Sequence, residues 1–347
     1  MHRWTELAQV PPGFGPSVVT LGNFDGVHRG HRSVLTRMVA DARAIGAQAV
    51  AVTFSPHPAQ VHHPETAAPL LTGVEDRLSL LERTGLDAVL LLEYTLDFAR
   101  QSPEEFVSRY LVRGLGARTV VVGRDVRFGW GNAGDLATMN KLGEQYGFTV
   151  EVIEDLASQP GPDARPGRTP QEQRLRHVAD PSHRRWSSTW VRELLAEGRV
   201  AEAATVLGRP HRVRGVVVHG DARGRELGFP TANLATEVAG MLPADGVYAG
   251  WLRRLALPTD AQDAVLPAAI SIGTNPTFDG VARRVEAYVL DRTDLDLYDE
   301  EVAFEFLAHL RPTLRFDSVD DLIATMHGDV DRARGLLADA GGAPADW

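Results

Sequence analysis

Residues 20–31 read Thr20-Leu21-Gly22-Asn23-Phe24-Asp25-Gly26-Val27-His28-Arg29-Gly30-His31 and follow directly on the β-branched pair Val18–Val19. An apolar run of strand character over Ser17–Leu21 stops at Gly22, turns through Asn23, Asp25 and Gly26, and gives way to a helical pattern near Gly30. The turn therefore lies at the carboxyl end of a strand and the amino end of a helix. In an open α/β sheet that is where free N–H groups and the helix dipole favour phosphate. His28 and His31 share one side of the helix start, and Gly30 between them leaves room for a nucleotide close to the backbone. A plain surface helix start and a metal pair are the other readings of this spacing. A metal would want a third ligand, and the chain contains no cysteine. The flanking glycines and the preceding strand favour the nucleotide.

Outward from this elbow, apolar runs at Ala49–Phe54, Ala88–Leu92, Thr119–Gly123 and Thr149–Ile153 alternate with helical patterns. Capping boxes stand at Thr72-Gly73-Val74-Glu75 and at Ser102-Pro103-Glu104-Glu105. Such alternation implies a parallel, doubly wound sheet with its ligand site at the strand carboxyl ends. Polar and aromatic clusters fall at those ends, Phe54-Ser55-Pro56-His57-Pro58 after one strand and Gly123-Arg124-Asp125-Val126-Arg127-Phe128-Gly129 after another.

Residues 158–183 carry five prolines and no apolar period, the composition of an insertion or flexible loop. Beyond them, Arg185-Trp186-Ser187-Ser188-Thr189-Trp190-Val191-Arg192 opens a short helix, followed by another over Val200–Leu207. From Arg212 the character changes. Strand-like runs at Val213–Val218, Thr231–Leu234, Gly246–Leu252, Ala268–Ile272, Val285–Leu290 and Val302–Leu310 follow one another without helices, with a hairpin turn at Phe278-Asp279-Gly280, which suggests an antiparallel sheet or small closed barrel. A last amphipathic helix begins at Ser318, and its stripe of Val319, Leu322, Ile323, Met326 and Val330 is expected to pack in the core.

At 347 residues two domains are expected, divided as 1–200, a linker over 201–211, and 212–347. A net charge of −10 without a basic block argues against a general nucleic-acid or anionic-membrane binder. The lack of cysteine excludes disulfides and thiolate chemistry, and a reducing cytoplasm is the natural setting. No signal peptide or membrane-length apolar run is evident, so a soluble, unprocessed chain is expected. All but one of the 36 basic residues are arginine, the exception being Lys141, so no Walker lysine exists. If the chain handles ATP, it does so with Arg, His, backbone N–H groups and Mg²⁺.

Taken together, Gly22–His31 resembles the H-x-G-H signature of the nucleotidyltransferases, and more closely its form in bacterial FAD synthetases. The F-x-P-H-P and Gly123–Gly129 stretches are similar to the same family, with Val126 where an aromatic is usual, and Ser187–Arg192 resembles its second motif. In the second half, Gly228-Phe229-Pro230-Thr231-Ala232-Asn233 resembles the riboflavin kinase signature, and Gly246–Tyr248, Ile272–Phe278, Val285–Asp291 and Leu310-Arg311 with Phe316 agree with it. Asp299 stands where that family commonly has Gly, and Met326 where Gln is usual.

The resemblance implies a Rossmann-like nucleotidyltransferase domain followed by a small β-barrel kinase domain with a C-terminal helix. It implies two reactions, riboflavin to FMN and FMN to FAD, each using ATP. For adenylyl transfer it points to His28, His31 and Arg185, with Gly22, Asn23, Phe24, Asp25, Gly30, Ser188, Thr189 and Arg192 around the nucleotide, and Phe54, His57, Asp125 and Phe128 towards the flavin. For the kinase it points to Glu286 as general base, Gly220, Gly228, Thr231 and Asn233 at the nucleotide, Thr231 and Asn233 as Mg²⁺ ligands, and Arg311 near the flavin. Two alternatives remain: a chain that keeps only the kinase activity, and a flavin- or nucleotide-binding regulator without catalysis. Self-association of the chain is compatible with either.

Overall fold

The computed structural model describes residues 1–153, 184–220, 228–277 and 280–342. The expected insertion, most of the loop between Gly220 and Gly228, and the tip of the Phe278 hairpin lie outside the described residues. The chain divides into two compact units, one of 1–68 and 74–187, the other of 69–73 and 188–347.

The first unit is built on a six-stranded sheet of β1 (His2–Trp4), β2 (Ser17–Leu21), β3 (Gln48–Ser55), β4 (Ala88–Glu93), β5 (Ala117–Gly123) and β6 (Thr149–Ile153). Its order is β1-β4-β3-β2-β5-β6, and every pairing is parallel. The central strands read as unbroken apolar runs because both faces are covered, and Val18, Val19, Val50, Val52, Val89 and Leu90 are all buried. Helices α1 (Arg29–Ala44), α2 (Pro58–His62), α3 (Val74–Glu82), α4 (Pro103–Phe106) and α5 (Leu136–Tyr146) connect the strands, with Val107–Gly114 continuing α4 as a π-helix. The strand order runs outward one way from β2 through β3 to β4 and the other way through β5 to β6. The topological switch point therefore lies between the carboxyl ends of β2 and β5, which carry the elbow and the Arg124–Phe128 loop.

In the second unit, α6 (Ser188–Ala196) and α7 (Val200–Leu207) precede a closed antiparallel barrel of β7 (His211–Val218), β8 (Thr231–Leu234), β9 (Gly246–Arg254), β10 (Val265–Thr277), β11 (Gly280–Val289) and β12 (Glu301–Arg311). The stretch expected as a linker over 201–211 is thus helix as far as Leu207 and strand from His211. Helix α8 (Val319–Asp339) closes the chain. Ser318 caps it, accepting from Asp321 N at 3.1 Å, and Val330, Ala333 and Leu337 pack on Ala249, Trp251, Leu290 and Leu310 of the barrel flank.

The expected core role of its stripe holds for part of it. Val330 is buried and Ile323 and Met326 pack against the same cluster, whereas Val319 is 58% exposed, and Leu322, Met326 and Val330 also wall an open cavity. Apolar periodicity on one helix thus marks a ligand wall as well as a packing face.

Candidate active sites

In the first unit β2 ends at Leu21 and the chain is fixed at once. Gly22 N donates to Val52 O at 3.1 Å, and Asn23 O accepts from Thr53 Oγ1 at 3.3 Å and from an Arg77 Nη at 3.0 Å. Phe24 (φ 48°), Gly26 (φ 78°) and Val27 (φ 36°) then take left-handed conformations, with Phe24, Asp25 and Val27 buried. This turn delivers His28 to the N-cap of α1, where its Nδ1 accepts from His31 N at 3.4 Å. The two imidazoles stack with centroids 3.8 Å apart and planes 21° from parallel, and the Phe24 ring meets His31 edge to face with centroids 5.4 Å apart.

Gly22 and Gly30 serve these rings. A Cβ on Gly22 would lie 3.1 Å from Phe24 Cζ, and one on Gly30 would lie 3.1 Å from Cε1 and Nδ1 of His28. The Cβ direction of Gly30 is thus taken by the His28 imidazole. Burial above all, and then the neighbouring His28 and Arg185, hold the His31 imidazole well below its ordinary value of 6.5. It is neutral at pH 7, and its buried Nδ1 has no hydrogen-bond partner among the described residues. Arg185 also lies 3.7 Å from Asp125, and Trp186 beside it carries the Arg29 guanidinium 5.9 Å from its ring centre. Two imidazoles, a helix N-terminus and a guanidinium converge here, an arrangement able to bind phosphate and offset its charge.

The other expected residues of this half have partners of their own. His57 caps α2, its Nδ1 accepting from Ala59 N at 3.1 Å, and Phe54 joins Tyr94, Phe98 and Phe106 in an aromatic cluster. Phe128 is buried against Phe106, and Gly134 gives way to its ring, so it holds its loop from beneath. Ser188 and Thr189 head α6 and Arg192 donates to Pro69 O at 2.8 Å, all within the second unit.

The second unit gathers its candidates tightly. Glu286 on β11 lies directly across from Asn233 on β8, and Thr231 Oγ1 donates to the Glu286 carboxylate at 3.2 Å. Asn233 Nδ2 donates to Thr231 O at 3.1 Å and to Thr231 Oγ1 at 3.3 Å. Arg283 on the same strand is paired with Asp245. Gly220 exists for the same cluster, because a Cβ there would stand 2.6 Å from Asn233 Cγ. The donors are hydroxyl, amide and carboxylate oxygens, a set that suits a hard cation such as Mg²⁺.

Two cavities meet at Thr231. One, of about 240 Å³, is lined by Glu286, Tyr288, Arg311, Phe316, Leu322 and Met326, and the other, of about 280 Å³, by Gly228, Thr231, Ala287, Arg292 and Tyr298. Arg311 reaches the first with Nε on Asp329 at 2.8 Å and its guanidinium 5.8 Å from the Phe316 ring centre. Arg292 and Tyr298 of the second cavity were not anticipated. Tyr298 stacks on His219 at 3.7 Å, and Arg292 is held by Asp263 and Asp294. The aromatic directly before Asp299 is the available signal for Tyr298, whereas no local pattern marks Arg292.

Comparison with known proteins agrees with both halves. The FAD synthetase family matches residues 12–161 and the riboflavin kinase family residues 207–337. A bifunctional riboflavin kinase/FMN adenylyltransferase of Escherichia coli K12 is 34% identical over 91% of each chain, and one of Pseudomonas fluorescens 34% identical over 96% of each. The solved structure of a macrolide-efflux protein from Streptococcus pneumoniae is 28% identical, with a TM-score of 0.78 over 96% of this chain and 98% of that one. Among the described residues no helix is long and apolar enough to cross a membrane.

Proposed function

This chain belongs to the family of bifunctional riboflavin kinase/FMN adenylyltransferases, and from that premise we propose how its own residues make FAD in two steps. Riboflavin is phosphorylated by ATP to FMN in the barrel unit. FMN is then adenylylated by a second ATP to FAD, with release of pyrophosphate, in the sheet unit. The observation that carries the reading is Glu286, which lines one cavity and accepts from Thr231, the residue that this cavity shares with its neighbour.

A riboflavin 5′-hydroxyl is a poor nucleophile at neutral pH. Seated in the cavity with Glu286, it gives its proton to that carboxylate as its oxygen bonds to the γ-phosphorus of ATP, and the bond to the β-bridging oxygen breaks to release ADP. Thr231 aims the carboxylate, and Arg311, fixed by Asp329, serves the flavin end. Thr231 and Asn233 are the residues that would hold Mg²⁺, which screens phosphate charge when bound; the chain has no Walker lysine to do so.

Adenylyl transfer makes other demands. The attacking FMN phosphate is already anionic, so an oxygen of it bonds to the α-phosphorus and pyrophosphate leaves without a general base. The protein must offset charge repulsion and hold the reacting groups in line. The stacked His28 and His31 at the α1 terminus, with Arg185, suit that task. The cysteine-free composition and the use of ATP support a cytoplasmic setting.

Incubation of the purified protein with riboflavin, ATP and Mg²⁺, followed by separation of the flavins, tests the reading. Both FMN and FAD are expected. FMN without FAD selects a chain that keeps only the kinase activity, and neither product selects a regulator. In the same assay His31→Ala abolishes FAD while FMN continues to form, and equal loss of both products would sink the two-site reading.

A further inference from the structure

Helix α3 contributes no residue to the signatures, yet it sends one charged side chain into the floor of the first unit's site. Arg77 is 2% exposed. One of its terminal nitrogens donates to Asn23 O at 3.0 Å and the other to Phe54 O at 2.8 Å. These carbonyls close neighbouring parallel strands, β2 and β3, at the points where each enters its loop. The first loop runs through the left-handed residues Phe24, Gly26 and Val27 to the stacked His28 and His31, and the second runs to His57.

Backbone in such conformations keeps its shape only where its surroundings impose it. Here the imposition is specific: the Asn23 carbonyl has two donors, Arg77 and the buried Thr53 hydroxyl. Asp25, itself 3% exposed, attracts the guanidinium charge and offsets part of the cost of its burial, so a charge is kept buried at the root of the elbow with its counter-charge inside the elbow. Burying an arginine is costly, and a straight apolar side chain would fill the same volume at less cost if packing were its only duty. A planar fork can span two carbonyls where an ammonium offers a single point.

The geometry assigns Arg77 as a positioning residue for adenylyl transfer, one guanidinium that sets the nucleotide elbow after β2 against the loop after β3. The assignment rests on the reading that the first unit adenylylates FMN. Displacement of a reacting group by about 1 Å costs roughly a hundredfold in rate. Arg77→Lys is therefore expected to lower kcat for FAD formation about a hundredfold, with KM for ATP changed less than about threefold and FMN formation by the same chain unaltered. Thr53→Val, which removes only the second donor to Asn23, should lower the same kcat by about fivefold, and it keeps the question answerable if Arg77→Lys does not fold.

Steady-state kinetics of both half-reactions, with the thermal midpoint of each variant, make the test. Parental kcat per folded molecule in Arg77→Lys or in Thr53→Val overturns the assignment, as does a loss that follows the folded fraction alone. Failure of the parent itself to form FAD would overturn the underlying reading instead.

Discussion

Asp299 shows what a single departure from a family pattern means in this structure. It adopts φ 61°, the left-handed region, and its N–H donates to Val217 O at 3.0 Å, tying the turn to β7 beside the Tyr298–His219 stack. Glycine is common at the position because the backbone demands that conformation, and aspartate is among the few other residues that tolerate it. A Cβ there costs roughly 1–2 kcal/mol, part of which glycine gives back as unfolded-chain entropy. Asp299→Gly should therefore stabilise the barrel unit by about 0.5 kcal/mol, and Asp299→Val destabilise it by more than about 1 kcal/mol, because a β-branched side chain is worst placed at positive φ. Urea midpoints of the two variants check the opposite signs. The aspartate is visible in the sequence as an anomaly, but its φ is not, since it follows from how β7 receives the turn.

His211 carries the corresponding argument for an element. It opens β7 with 2% exposure, Nε2 donating to Met241 O at 2.6 Å and its ring stacked 6.2 Å from Phe306. Burial pushes its imidazole down to about 4, the bond to Met241 opposing and Arg209 adding to the shift. The unfolded chain, at an ordinary histidine value near 6.5, binds the extra proton first as pH falls. The stability held by neutral His211 is thus complete above about pH 6.5 and is lost as pH drops towards the folded value, with about 2 kcal/mol gone by pH 5. The urea midpoint of the barrel unit should fall between pH 6.5 and 5, and His211→Gln, whose amide can still donate to Met241 O, should flatten that slope. An equal slope in the variant would assign the acid sensitivity elsewhere. At this scale most strands were legible: Ser17–Leu21, Thr149–Ile153 and Thr231–Leu234 stand where the apolar runs end. The strand His2–Trp4 was not, because three residues with only Trp4 buried carry no period, and their pairing with β4 is decided by the sheet. The same holds for the π-helix over Val107–Gly114 and for Arg77, whose role depends on carbonyls that are distant in sequence.

At the scale of the whole molecule, two compact units each hold a candidate site with its own chemistry. The glycine-flanked histidines and the P-T-A-N run announced these sites because they are local in sequence. The close approaches that shape them were hidden: His28 beside Gly30, and Asn233 beside Gly220. If one unit phosphorylates with a carboxylate base and the other adenylylates with imidazoles and a guanidinium, disabling one leaves the other's chemistry intact, and FMN is a free compound between them. Glu286→Gln should then convert added FMN to FAD but not riboflavin to FMN, whereas His31→Ala should stop at FMN. The two variants mixed in one solution should turn riboflavin into FAD, through FMN released by the His31→Ala chain and taken up by the Glu286→Gln chain. The rate should depend on the concentration of both proteins, with a lag while FMN accumulates, because the intermediate must leave one molecule and bind another. Separation of the flavins over time measures the effect. A mixture that makes FMN but no FAD, while Glu286→Gln alone adenylylates added FMN, would mean that FMN stays on the chain that made it and is not passed through solution.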